Sequence, residues 1–275
     1  MKTNFYLLIL LILSATALCG CAHQYNGGTG SYGDLQRLRK GYNTTGKTDG
    51  ISKIRRLALH DTAMSISARC ALAWRAKQIN GELSTKIAVL DKSFDFNVML
   101  LDNNVLPPVL MEGREVLNLA GPDVIRLADR VYRIESQARF VTTPPTWRDY
   151  LWMNYPQPDI PDRSLLPKNA KERYVWLRAI ELGWREGINQ GNAIFAENVA
   201  RLKRDYSGMI LYRKLYAQHM VTAPYVATTS LGVTGGGSNM RINDKILRIT
   251  ALPSLQANSN AWRPVISNDN AVDAR

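Results

Sequence analysis

Three glycines at intervals of four residues stand in the stretch LGWREGINQG, residues 182–191. In a helix this spacing places Gly183, Gly187 and Gly191 along one face. A glycine in an exposed helix costs about 1 kcal/mol relative to alanine, so the row favours a face on which another backbone packs closely. The charged Arg185 and Glu186 stand between the glycines and exclude the membrane-spanning version of this motif. The partner backbone is either another helix of the same chain or a neighbouring subunit.

The glycine row lies within the longest helical pattern of the chain. That pattern begins near Asn169, whose distance from Glu172 is that of a capping box. It is interrupted near Ser207 and Gly208 and resumes over residues 209–221. The pattern is equally consistent with two antiparallel helices and with one kinked helix.

A second long helix is predicted nearer the start of the chain. Asp49 is a suitable N-cap, and the helical apolar pattern then continues to about residue 80. Gly81 is predicted as the C-terminal stop of this helix. Residues 63–76 are rich in alanine, so a neighbouring element can approach this helix closely.

Short apolar or alternating segments predict strands between and after the helices. They are residues 94–96, 109–111, 124–127, 131–134 with an extension to 141, and 239–252, which follow a glycine turn at 235–237. Residues 147–152 predict a short helix with Thr146 as its N-cap. The predicted fold class is therefore α+β, with long helices packed with a small, mainly antiparallel sheet.

The start of the chain predicts a secretory signal peptide over residues 1–20. A single positive residue, Lys2, precedes an apolar run over residues 5–18. A transmembrane helix needs about 20 apolar residues, so this run is short for a membrane span. The run leads into a motif that resembles a bacterial lipobox and consists of Leu18, Cys19, Gly20 and Cys21.

The lipobox resemblance implies that a dedicated signal peptidase cuts the chain just before Cys21. It also implies that Cys21 carries acyl chains such as palmitate. Cys19 fits the cut less well, because the bulky Leu18 would precede it. Ordinary secretion and an uncleaved N-terminal anchor are the alternatives. Ala22 stands where lipoproteins retained at the inner membrane often carry Asp. The presence of Ala22 rather than Asp favours a location at the outer membrane, with the body of the protein in the periplasm.

Composition divides the mature chain into three parts. Residues 21–49 are rich in Gly, Asn, Thr and Ser and predict a lipidated flexible tether. Residues 50–257 are interpreted as a single α+β domain, and residues 258–275 as a flexible tail. Once Cys19 and Cys21 are accounted for, Cys70 is the remaining cysteine and is predicted to be a buried structural thiol.

The chain is basic, with a formal net charge of +12. Its densest cationic cluster covers residues 37–40, and Lys53, Arg55 and Arg56 follow at the start of the first long helix. No aromatic residues alternate with these cations as they do in nucleic-acid sites. The basic residues therefore predict a solvated or partner-facing surface, and no direct contact with nucleic acid is expected.

No spacing typical of catalysis or metal binding occurs in the sequence. His23, His60 and His219 lack a second ligand at helical spacing, and the phosphate-binding and nucleophile motifs are missing. A pair of carboxylates could still meet in space, from a set that comprises Glu112, Asp123, Asp129 and Glu135. We predict no catalytic residue, no metal and no cofactor.

Several long motifs resemble the DotC family of lipoproteins from type IVB secretion systems. They are LAWRAKQIN (72–80), LDKSFDF (90–96), NVLPPVL with EGR (104–110, 112–114), DRVYRI (129–134), ARFVT (138–142) and PPTWRDYL (144–151). The family includes the TraI lipoproteins of IncI-type conjugation machines. The resemblance covers about residues 50–250 together with the lipobox.

This resemblance implies a non-enzymatic, periplasmic subunit of an outer-membrane core complex. The partners it implies are a DotD-like lipoprotein, a DotH-like subunit, a DotG-like channel protein and further copies of the chain in a ring. In the family, the two lipoproteins help to place the DotH-like subunit at the outer membrane. A cell-wall-binding module and a cell-wall enzyme are the alternatives. The sequence does not separate DNA conjugation from effector export.

Overall fold

The computed structural model of the 275-residue chain describes residues 30–38, 51–121 and 123–264. Its helices are α1, Tyr32–Arg37; α2, Lys53–Ser84; α3, Ile87–Ser93; α4, Trp147–Leu151; and α5, Ala170–Ala217. Its strands are β1, Val105–Leu106; β2, Val109–Gly121; β3, Val124–Ser136; β4, Arg139–Phe140; β5, Tyr225–Gly236; and β6, Asn239–Ala251. The described strands form three antiparallel pairs, β1–β4, β2–β3 and β5–β6. The predicted α+β fold class is confirmed.

The chain divides into two compact units. The first unit comprises residues up to Leu90 together with Tyr150–Val199. The second unit comprises Asp91–Asp149 and the residues from Ala200 onward. Helix α5 contributes its first part to the first unit and its last part to the second. The domain boundaries given above stay predictions.

The glycine row of α5 faces α2 within the first unit. A Cβ atom built on Gly183 would overlap the backbone of Met64, and one built on Gly187 would overlap the carbonyl oxygen of Ala68. The contacts advance in the same direction along both helices, so α2 and α5 run parallel. Alanine is the smallest side chain with a Cβ atom, and it would already be too large at these two positions.

Polar contacts accompany the close approach of α2 and α5. Ser67 Oγ donates to the carbonyl oxygen of Ile180 at 2.7 Å. Arg75 Nε donates to Asn192 Oδ1 at 2.7 Å, and a Cβ on Gly191 would lie 3.1 Å from Arg75 Cγ. Arg75 is 3% exposed, so this hydrogen bond satisfies part of a buried guanidinium group. These contacts fix the register between the two helices.

A partly buried ion pair joins the first turns of the same helices. Arg55 Nε and Nη2 each lie 3.2 Å from the Glu172 carboxylate, which also accepts a hydrogen bond from the Lys168 N–H at 2.8 Å. Burial raises the pKa of Glu172, but the hydrogen bonds from Arg55 and Lys168 outweigh it, and the pKa lies below its ordinary value. The pair therefore stabilises the fold above the ordinary carboxyl pKa and loses this effect as pH falls through the lowered pKa.

A short helix, α1, lies within the segment predicted as a tether. Ser31 forms a capping box with Asp34: Asp34 N donates to Ser31 Oγ at 3.2 Å, and Ser31 N donates to Asp34 Oδ2 at 3.1 Å. Leu35 is fully buried in a cluster that includes Leu59 of α2 and Trp176 of α5. Leu35, together with Tyr32 against Trp184, thus attaches this segment to the first unit, although the glycine-rich composition around it is typical of a flexible chain.

In the second unit, the last part of α5 packs on β2. A Cβ on Gly208 would lie 2.5 Å from Val109 Cγ1 and 2.7 Å from the Leu110 carbonyl oxygen. Leu110, Tyr212 and Leu215 belong to one buried cluster, and burial raises the pKa of Tyr212 to about 12. The end of the β2–β3 pair at which Val109 pairs with Ser136, called its base here, is therefore packed on this helix.

The ends of α2 differ from the prediction. Helix α2 begins after Ser52, whose hydroxyl accepts a hydrogen bond from Arg55 N at 3.2 Å. Asp49, the predicted N-cap, lies outside the described residues. Helix α2 also continues through Gly81 to Ser84, because Gly81 keeps a helical conformation with open space around it. The predicted N-cap and C-terminal stop are both wrong.

The predicted interruption at Ser207 and Gly208 is wrong as well. Helix α5 is continuous over 48 residues, so the alternative of two antiparallel helices is excluded. Gly208 does not end the helix; its lack of a side chain lets β2 pack closely against α5. At the start of α5, Glu172 N donates to Asn169 Oδ1 at 2.8 Å, which is one half of the predicted capping box.

The bounds of several strands differ from the prediction. Residues 109–111 begin β2, while 124–127 and 131–134 are parts of β3. The extension to residue 141 is wrong, because β3 ends at Ser136 and β4 pairs with β1. The hairpin strand at 239–252 and the short helix after Thr146 are confirmed as β6 and α4.

Residues 94–96 do not form a strand. The rings of Phe94 and Phe96 lie 5.3 Å and 5.1 Å from the ring of Tyr206, both edge to face. Edge-to-face packing of this kind is favourable and fixes the segment as a loop against α5 in the second unit. The alternation of aromatic and polar residues predicted a strand with one buried face. In the structure, helix α5 buries the aromatic side chains although the segment is not a strand.

The close approach of α2 and α5 leads to a stability prediction. Gly187→Ala is expected to destabilise the protein by about 1–3 kcal/mol, because the added methyl group has no space against Ala68. Gly81→Ala is the matched control and is expected to stabilise it by about 0.5–1 kcal/mol, since nothing lies within 4 Å of the new Cβ. Urea unfolding of residues 22–275, followed by circular dichroism, measures both variants. Equal effects of the two substitutions would contradict the close approach.

Candidate functional site

The described residues contain no constellation typical of metal binding. No group of three or more His, Cys, Asp or Glu side chains within residues 30–38, 51–121 and 123–264 is placed to hold a metal ion. His60 Nδ1 lies 3.1 Å from Asp61 Oδ1 at an exposed position of α2. Cys70 is 1% exposed in the core of the first unit, as predicted for a structural thiol.

The four carboxylates from which a catalytic pair could be drawn all lie on or beside strands β2 and β3. Glu112 Oε1 lies 3.3 Å from Arg114 Nε, and Glu135 Oε2 lies 2.6 Å from Arg133 Nη2. Asp123 is exposed next to the turn. An arginine therefore faces two of the four carboxylates, which suits an ion pair better than general acid–base chemistry.

A groove of about 700 Å³ lies in the second unit, between the base of β3 and the last described residues. Its lining comprises Asp129, Arg130, Tyr132, Leu215, Gln218, Met220, Leu255, Gln256, Trp262, Arg263 and Pro264. Trp262 Nε1 donates to the Gln256 carbonyl oxygen at 2.8 Å and closes one wall. Asp129 is the single carboxylate among these lining residues, so the groove lacks the carboxylate pair that the enzyme alternative requires.

The predicted lipobox residues Leu18, Cys19, Gly20 and Cys21 lie outside the described residues. In the part of the chain that the structure describes, no helix is long and apolar enough to cross a membrane. The exposed surface of the two long strand pairs is then the most unusual feature of the described chain.

The β2–β3 pair exposes large apolar side chains beyond its base. Between Met111 and Val131, no side chain whose burial is described is buried. Leu127 is 78% exposed, and Leu117, Val124, Ile125 and Val131 are also exposed. Glu115 of β2 has φ at +50°, a backbone conformation that residues with a side chain rarely adopt.

The β5–β6 pair is exposed along its whole length. No side chain from Tyr225 to Ala251 is buried, and the exposed apolar residues are Tyr225, Leu231, Val233, Met240, Ile242, Ile246 and Leu247. The strands meet at the two-residue turn of Gly237 and Ser238, where Gly237 has φ +57°. Strand β5 contains no charged residue.

Two physical arguments identify these hairpins as protein-interaction surfaces. An isolated two-stranded hairpin is marginally stable in water, so a long one is expected to gain stability from a partner. A long, apolar, uncharged edge strand is also a template for pairing with another chain, and soluble monomers normally protect such edges with charges or proline. Strand β5 has neither over residues 225–236.

Sequence reasoning found these strands but missed their exposure. Alternating apolar residues were interpreted as strands of one small sheet with a buried face. The signal that could have shown the difference is residues 225–240, which contain no charged side chain and no proline. A half-buried strand usually carries polar or charged residues on its solvent face, whereas an interaction strand needs none.

A helical body with two exposed apolar hairpins has the features of a subunit of a larger protein assembly. A family model described as type IV secretory system, conjugal DNA-protein transfer, matches residues 53–264, from the first residue of α2 to the last described residue. The chain belongs to this family, the TraI family, and is a component of conjugal transfer by type IV secretion. The resemblance stated from the motifs is thereby confirmed. No curated protein sequence matches the chain.

The exposed edge of β5 leads to a second prediction. Val233 is 65% exposed, so Val233→Lys is expected to leave the free energy of unfolding within about 0.5 kcal/mol of the wild type. It should reduce self-association of residues 22–275 at high concentration, because a charge on the edge opposes strand pairing. Light scattering and urea unfolding measure the two quantities.

Gln190→Lys supplies the control for Val233→Lys, since it adds the same charge at an exposed position of α5. Its self-association should equal that of the wild type. If Val233→Lys and Gln190→Lys behaved alike, β5 would not be the associating edge.

Proposed function

We propose that this chain is a lipid-anchored subunit of the outer-membrane core complex of a type IVB secretion system. Its body lies in the periplasm, and its role is structural: it helps to place and assemble the DotH-like subunit at the outer membrane. Membership of the conjugal-transfer family supports the system, and the lipobox supports the anchor. The cargo of such a system is a DNA–protein complex rather than a substrate that the subunit itself processes.

The observation that carries the proposal is the exposure of the β2–β3 and β5–β6 hairpins. Strand addition to an exposed edge gives affinity through backbone hydrogen bonds, and the apolar side chains alternating along the strand give specificity. The partners expected at these edges are the DotH-like, DotD-like and DotG-like subunits and neighbouring copies of the chain. A ring requires heterologous contacts, in which one surface of a subunit fits a different surface of the next.

A structural role also agrees with the chemistry of the described residues. The groove of the second unit contains one carboxylate, and the described His and Cys side chains do not cluster. The members of the family are components of type IV secretion and conjugal transfer, and the family is not a known enzyme family. We therefore propose that the chain binds and positions other subunits without catalysing a reaction.

The proposed anchor gives the third prediction. A single acyl chain binds a membrane reversibly, whereas a multiply acylated cysteine anchors stably. Cys21→Ser is expected to leave the body folded but to reduce conjugal transfer by at least about tenfold and to release the DotH-like subunit from the outer-membrane fraction. Mating assays and membrane fractionation measure the two effects.

Cys19→Ser is the matched control, because Cys19 leaves with the signal peptide and its loss should not affect transfer. Normal transfer by Cys21→Ser would contradict the anchor. Normal transfer after deletion of the whole gene would contradict the structural role itself.

A further inference from the structure

We infer that one end of the first unit docks directly on an anionic phospholipid surface. This end, called the basic end here, is formed by the first turns of α2 and α5 and the chain that precedes α5. Its exposed cations are Lys53, Arg56, Arg163, Lys168 and Lys171. The inference rests on the proposed lipid anchor and adds a second membrane contact to it.

Both long helices begin at the basic end. The ion pair of Arg55 with Glu172, near the two helix starts, and the contact of Ala68 with Gly187 further along show that α2 and α5 run parallel. The N-terminus of each helix carries a partial positive charge of about half a unit from its backbone dipoles. In an antiparallel pair the two ends would have opposite signs, but here the two positive ends lie side by side.

Side-chain charge adds to the backbone charge at this end. Residues 51–57 and 162–174 contain seven Lys and Arg residues and two carboxylates, Asp162 and Glu172. Glu172 is buried and paired with Arg55, and Asp162 Oδ1 accepts a hydrogen bond from Ser164 N at 2.8 Å. Both carboxylates are thus engaged locally.

The five exposed cations form no salt bridge with a carboxylate of the described chain. Arg56 and Lys171 also line a shallow groove of about 630 Å³ together with Ile51 and Tyr174. Cations in such an arrangement attract anionic headgroups, whereas a surface that only needs solubility usually mixes charges of both signs.

Apolar side chains stand exposed among these cations. Ile54 is 81% exposed, Leu57 is 53% exposed and Tyr174 is 68% exposed. Lysine and arginine beside exposed aliphatic and aromatic side chains form the pattern of a membrane-interface surface, where the cations contact headgroups and the apolar groups enter the acyl boundary. A purely electrostatic contact with a soluble acidic partner would explain the cations but would leave Ile54 in water.

Helix α1 connects the segment that follows the predicted anchor to the first unit. Leu35 of α1 is buried against Leu59 and Trp176, each six residues from the start of its helix, or about 9 Å along the helix axis. Tyr32, which precedes Leu35, lies against Trp184, 14 residues from the start of α5, or about 21 Å along its axis. Residues 22–30 span at most about 30 Å when fully extended. This length allows the predicted lipid on Cys21 to reach a membrane at the basic end.

Vesicle binding by the lipid-free mature chain, Cys21→Ser, tests the inference. The probes are vesicles of phosphatidylethanolamine with phosphatidylglycerol, and vesicles of phosphatidylethanolamine with phosphatidylcholine as the neutral comparison. The chain is expected to cosediment with the anionic vesicles and much less with the neutral ones. Higher salt should weaken this binding, because it screens the cations.

The test variant combines Lys53→Gln, Arg56→Gln, Lys168→Gln and Lys171→Gln. Its binding to anionic vesicles should fall at least about tenfold. The matched control removes four exposed cations away from the basic end and from the hairpins, through Lys77→Gln, Lys92→Gln, Arg185→Gln and Arg213→Gln, and should bind as the parent does. Circular dichroism checks that both variants are folded.

A second variant, Ile54→Gln, separates insertion from attraction. It should remove the fraction of binding that resists high salt, while the binding at low salt persists.

Equal binding of the test and control variants would overturn the inference, and so would equal binding to anionic and neutral vesicles. The test substitutions could also leave vesicle binding unchanged and yet abolish transfer when they are made in the lipidated chain. That result would overturn the inference and would assign the basic end to an acidic protein partner. The vesicle measurements do not bear on the proposed function, which the transfer assay of Cys21→Ser tests separately.

Discussion

The close approach of α2 and α5 is the constraint on which the first unit depends. Gly183 and Gly187 bring the two backbones together where a methyl group would already overlap Met64 or Ala68. Parallel helices place backbone dipoles of the same sign side by side, which is unfavourable. The Arg55–Glu172 pair and the buried hydrogen bonds of the seam offset part of that repulsion. The close contact also forms the surface against which Leu35 packs, so it determines where the segment after the predicted lipid anchor is held.

Much of the helical part of the fold could be predicted from the sequence, because helix periodicity is local. The glycine spacing indicated a face for close packing, but it could not give the parallel direction, which depends on contacts between residues more than a hundred positions apart. The predicted interruption at Gly208 was wrong for a related reason. A glycine in a helix signals either a break or a close neighbour, and the neighbour, β2, is distant in sequence.

The hairpins were predicted as strands but not as surfaces. Alternating apolar residues normally indicate a strand with one buried face, and from Tyr225 to Ala251 that face has no cover within the described chain. A single sequence contains no information about a cover that another subunit supplies. The lack of charge in β5 is the local feature that agrees with a cover of this kind. The lipobox stays a prediction from its motif, and its role in the proposed function depends on the Cys21 experiment.

The central claim is that the exposed hairpins bind other subunits of the secretion system. In-cell photo-crosslinking tests it most directly, with a photoreactive residue at Ile242, which is 67% exposed on β6, and with one at Leu182, 41% exposed on α5, for comparison. The account predicts crosslinks from position 242 to other subunits of the system, lost when the DotH-like subunit is deleted, and few from position 182. Equal crosslinking at the two positions, or crosslinks at 242 that persist without the other subunits, would contradict it.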